Sequence, residues 1–103
     1  MYKLTVFVPE EALDQVKSAL FAAGAGKIGD YEQCCWQVQG VGQFMPLAGS
    51  NPHIGIQDSL EKVSEWRVEM VVAKANIAEV ISALKQAHPY ETPAYDVIEV
   101  LDF

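Results

Sequence analysis

The 103-residue chain repeats itself at an offset of 64 residues, and that repeat fixes most of what it can fold into. VFVPEEALDQVKSALFAAG near the start is echoed by MVVAKANIAEVISALKQAH, which pairs Val8 with Val72, Leu13 with Ile77, Val16 with Val80, Leu20 with Leu84 and Ala23 with Ala87. One strand-then-helix unit is thus used twice.

Each copy has the periods that such a unit needs. Tyr2, Leu4, Val6 and Val8 alternate with Lys3, Thr5 and Phe7, and Trp66, Val68, Met70 and Val72 alternate with Glu65, Arg67 and Glu69. A period of two predicts half-buried strands. Leu13, Val16, Leu20 and Ala23, and later Ile77, Val80, Leu84 and Ala87, recur at helical spacing, predicting helices near residues 10–24 and 76–88. Pro9, Glu10 and Glu11 suit a first helical turn, while Asn76 with Glu79 resembles a capping box. Gly24 and Gly26 can end the first helix and Pro89 stops the second.

A further strand candidate follows each helix. Cys34, Trp36 and Val38 are expected to face the core, with Cys35, Gln37 and Gln39 outward, which makes Cys35 the more accessible thiol. Residues 95–101 are apolar on both faces. The order strand, helix, strand, strand, helix, strand predicts an α+β, ferredoxin-like split β-α-β fold, duplicated into a four-stranded antiparallel sheet with both helices on one face. Residues 1–103 are expected to form a single domain. A long connection at about 40–58 carries Gly40, Gly42, Gly49 and Gly55, and Phe44, Met45, Leu47 and Ile54 are expected to pin it to the domain or to a neighbouring subunit. The helix-free sheet face is too apolar for plain exposure, so a homo-oligomer is expected.

Composition removes several classes of function. Fourteen acidic residues against seven basic give a formal charge of −7, the wrong sign for nucleic acid or an anionic membrane surface. No apolar run approaches the roughly 20 residues that cross a bilayer. The start lacks the features of a signal peptide, and the adjacent cysteines Cys34 and Cys35 make a poor disulfide framework, so the expected location is cytoplasmic. Gly40 and Gly42 do not run from a strand into a helix N-terminus with a Walker lysine, so they are not read as a phosphate loop.

The strings YKLTVFVPEEALDQVKSALFAAGAGKIGDYEQC, GVGQFMPLAGSNPHIG and HPYETPAYDV together resemble the domain inserted in Nif-three-like proteins of the YqfO type, a relative of CutA and PII proteins. The resemblance covers essentially the whole chain and implies the same CutA/PII-like fold. It also implies a His-Pro-Tyr-Glu segment like that of CutA, here His88, Pro89, Tyr90 and Glu91, with Thr92 where relatives often have an acidic residue. No residue of the dinuclear metal site in the outer lobes of full-length members has a counterpart among the two histidines, His53 and His88.

Imidazole, phenol and carboxylate are the groups that titrate, bind metal or hold a polar ligand. His88, Tyr90, Glu91, Phe44 and His53 are therefore the ligand or interface candidates, and His88, Glu91 and Cys35 the metal candidates. An architectural role is the competing reading, with His88 capping the second helix, Tyr90 packing and Glu91 accepting backbone donors. No catalytic residue is assigned, because no histidine adjoins either cysteine in the sequence. The expectation is a non-catalytic, self-associating module that binds a protein partner or small effector and needs no cofactor. The alternatives are a divalent-metal-binding protein of the CutA kind and a small enzyme with an interface pocket.

Overall fold

The computed structural model describes residues 1–103. β1 (Tyr2–Pro9) leads through a 3₁₀ turn into α1 (Leu13–Ala22), then β2 (Trp36–Phe44) and β3 (Glu61–Val72), a second 3₁₀ turn, α2 (Ile77–Ala87) and β4 (Tyr95–Glu99). The strands form one sheet in the order β2-β3-β1-β4 with every pair antiparallel. Tyr2 lies opposite Val72 and Val8 opposite Trp66, so the two copies of the repeat pair with each other at the centre of the sheet.

The core is made by the residues that the two periods select. Leu4, Val6, Val8, Val68, Met70 and Val72 meet Leu13, Val16, Leu20, Val80 and Leu84, all buried. At about 25 cal/mol per Å² of apolar surface removed from water, these stripes are the main reason both helices lie on one face.

Four sequence expectations are corrected. The first concerns the faces of β2: Trp36 pairs with Glu69 and Val38 with Arg67, so these side chains point to the open face, where Trp36 is 63% exposed. Gln37 is the one turned toward the helices, and its Oε1 accepts from Lys17 Nζ of α1 at 2.9 Å. Cys35 accordingly packs against the core instead of facing outward, and both thiols are half-buried. The second concerns the connection at 40–58. β2 runs on through Gly40 and Gly42 to Phe44, and β3 begins at Glu61, so the loop proper spans residues 45–60. Third, of the four residues expected to pin that loop, Phe44 and Ile54 turn inward with the buried Pro46, while Met45 and Leu47 are exposed and do not pin it to the domain.

The last correction is at the start of α2. Asn76 makes no capping bond, because the preceding 3₁₀ turn carries the chain into the helix through backbone bonds such as Asn76 N–H to Ala73 O at 2.9 Å. Asn76→Ala is therefore expected to cost less than the ~1 kcal/mol of a working cap in a thermal melt.

β3 is 12 residues long, which at about 3.3 Å per residue spans roughly 40 Å. β1 covers it only from Glu65 onward, so residues 61–64 and 41–44 extend past the sheet as a two-stranded arm. The arm accounts for the elongated 46 × 24 × 24 Å outline.

Candidate functional site

Beyond the sheet edge, α2 stops at Ala87 because His88 turns extended (φ −71°, ψ 132°) ahead of Pro89. His88 is only 5% exposed. The Tyr90 backbone N–H, which can only donate, points at His88 Nδ1 at 3.1 Å. Nδ1 must then be unprotonated, and Nε2–H donates to the Phe7 carbonyl at 2.7 Å. That carbonyl faces the β4 side of β1, one position before β4 begins, so the imidazole stands in for a missing strand donor. Burial pushes the His88 pKa below the usual histidine value, against the opposing pull of its bond to the Phe7 carbonyl and the nearby Glu65 charge. His88 is thus a neutral, doubly bonded ring, and ligating a metal would break one of these bonds.

Tyr90 is the centre of the site. Its ring lies 4.9 Å from that of His88, 6.0 Å from Phe44 and 6.3 Å from His53. Its hydroxyl donates to Glu65 Oε2 at 2.9 Å. Burial, then this bond to a carboxylate, pushes the phenol pKa well above its ordinary value, so Tyr90 stays protonated and donating across the physiological range. Glu91 Oε2 accepts the backbone N–H of Asn51 at 3.0 Å and so ties the α2–β4 turn to the loop. His53 approaches Glu11 at 4.0 Å with both side chains largely in water.

Between that loop and that turn lies a cavity of about 410 Å³, with Phe44, Pro46, His53, Glu65, Tyr90 and Glu91 among its lining residues. Four of the five ligand or interface candidates read from the sequence line it, and His88 packs directly behind Tyr90. Cys35 is not among them and sits in a separate depression with Lys3, Cys34 and Glu69. No group of three or more His, Cys, Asp or Glu side chains is arranged around one point.

Sequence reasoning missed Glu65, Glu11 and Asn51. For Glu65 a signal existed, since β3 puts it on the open face opposite Gly40 and Gly42 lies two pairs further along the arm, on the same face. A Cβ at Gly42 would collide with the Glu65 carboxylate, so the glycine makes the seat in which that carboxylate meets Tyr90.

The fold is that of a CutA/PII-like domain. The chain superposes on CutA from Archaeoglobus fulgidus with a TM-score of 0.69 at 17% identity, covering 100% of this chain and 87% of that one. It superposes on a Bacillus cereus protein related to NIF3 with a TM-score of 0.80 at 41% identity, covering 93% of this chain and 24% of that one. Among curated proteins, the GTP cyclohydrolase 1 type 2 homologs of Mycobacterium tuberculosis and Bacillus subtilis are 46% and 47% identical over 99 and 98 residues. These matches span 96% and 95% of this chain but only 26% of either relative. No protein-family model matches the chain. The chain thus has a CutA/PII-like fold and spans about a quarter of the length of these longer relatives. No helix is long and apolar enough to cross a membrane.

Proposed function

We propose that this domain is a non-catalytic module that associates with copies of itself through its open sheet face and takes a small effector or protein partner beside Tyr90. The observation that carries the self-association is the make-up of that face. Trp36, Val38 and Ile98 are exposed there beside the half-buried Phe7. In their midst Glu69 is held between Lys3 at 3.1 Å and Arg67 at 2.7 Å. An apolar patch around a satisfied ion cluster suits a self-complementary contact better than open water. In this reading His88 has no catalytic role, because both of its ring nitrogens are taken up by Phe7 and Tyr90. The proposal draws on no divalent cation, because both His88 nitrogens are bonded and Cys35 packs on the core.

Light scattering at micromolar concentration is expected to give a mass of several chains, and Trp36→Glu to shift it toward one chain by placing a charge in the contact. A wild-type mass of one chain would overturn the self-association.

A further inference from the structure

The cavity beside Tyr90 has a chemical character that narrows what can fill it. Its walls are aromatic and apolar: the Phe44 and His53 rings flank Tyr90 at 6.0 and 6.3 Å, tilted by 54° and 47°, and Pro46 and Ile54 close the loop side. Its charges are all of one sign. Glu65 and Glu91 line it, Glu11 lies at its rim beside His53, and no lysine or arginine lines it. Each of the two lining carboxylates uses Oε2 for an internal bond, Glu65 with the Tyr90 hydroxyl and Glu91 with the Asn51 amide; Glu91 Oε1 has no hydrogen-bond partner, and Glu65 Oε1 lies over Gly42. Phosphates and carboxylates are repelled by such a site. A cation with N–H donors is drawn both to the aromatic rings of Tyr90 and Phe44 and to the negative charge of the two carboxylates. A volume of about 410 Å³ leaves room for an apolar body behind the charge.

We propose that this cavity binds a small protonated primary amine carrying an aromatic or apolar substituent, with the ammonium held between Glu65 and Glu91 and the substituent against Phe44, Tyr90 and His53. This deepens the reading of the domain as an effector-binding module and rests on it. Tyr90 is a positioning residue here: its hydroxyl holds the Glu65 carboxylate in place.

The test is an NMR titration of the isotopically labelled chain, following the amides of Asn51 and Tyr90. The probes are 2-phenylethylammonium, its N,N,N-trimethyl analogue, 2-phenylethanol and 3-phenylpropionate. The primary ammonium is expected to bind with a Kd of about 100 µM, and the alcohol and the carboxylate at least about tenfold more weakly. Glu65→Gln and Glu91→Gln, checked as folded from their spectra, are each expected to weaken the ammonium by about tenfold. Tighter binding of the trimethyl analogue would overturn the role given to the carboxylates as hydrogen-bond acceptors. Equal or tighter binding of the alcohol or carboxylate would overturn the cation assignment while leaving an effector site standing. No shift with any probe at about 10 mM would overturn the effector site itself.

Discussion

His88→Ala is expected to cost the fold about 3 kcal/mol, measurable as a lower denaturant midpoint. Alanine removes a buried ring and strands two backbone groups, the Phe7 carbonyl and the Tyr90 amide, in a place from which water is largely excluded. An unmade hydrogen bond on a buried group costs about 1–3 kcal/mol, and the lost packing against Tyr90 adds to it. His88→Gln is expected to recover much of the loss, because its amide can donate to one partner and accept from the other. Acid makes the same point with a definite sign. The folded-state pKa lies below the histidine reference of 6.5, so the unfolded chain binds the proton more readily. Stability from the neutral ring is complete above the unfolded value and drains away as pH falls from about 6.5 toward the lower folded value. Thermal melts between pH 7.5 and 5 should show this slope in the wild type and a shallower one in His88→Gln. Identical slopes would show that His88 contributes nothing to the pH dependence.

The central strands and both helices were legible because their apolar periods are long and occur twice. β2 was not. Cys34, Trp36 and Val38 form the apolar phase of that strand and Gln37 and Gln39 the polar one, which on a one-sided sheet assigns the first to the core. β2 is an edge strand, however, and its helix side is only partly covered, so Gln37 can lie there with its amide bonded to Lys17 while Trp36 goes to the open face. The inversion strengthens the expectation of self-association, since it adds Trp36 and Val38 to a surface already carrying Phe7 and Ile98. In the site, the His88–Glu91 segment could be singled out because its residue types are chemical ones at a helix stop. That Phe44 and His53 close on Tyr90 depends on how a loop folds back. That Glu65 meets the Tyr90 hydroxyl depends on the β2–β3 register, which sets Gly40 opposite it and leaves its carboxylate lying over Gly42. Neither is written in a period.

Gly26→Ala is expected to be as damaging as the loss of His88, for a reason that the repeat makes plain. Val71 is the counterpart of Phe7 at the 64-residue offset, and its carbonyl too faces a strand that has not yet begun, in this case β2. Here the donor is the backbone N–H of Gly26, at 2.8 Å, where the second half uses the imidazole of His88. The Gly26 carbonyl in turn accepts the Cys34 N–H at 2.8 Å, so this one residue ties the end of α1 both to the sheet and to the approach to β2. Reaching both partners puts Gly26 at φ +78°, a left-handed conformation that costs a residue with a Cβ about 1 kcal/mol or more. A Cβ there would also stand 2.8 Å from the Cys34 carbonyl oxygen and 2.8 Å from the Phe21 ring. The carbonyl belongs to backbone and cannot swing aside, so the two effects sum to about 2–4 kcal/mol. In a domain of this size that lowers Tm by on the order of 10 °C or more. Gly29, at φ +56° with open space around its Cβ position, supplies the control: Gly29→Ala bears only the conformational cost. Equal melting temperatures for the two variants would show that the close approach of Gly26 to Cys34 and Phe21 is not what requires a glycine there.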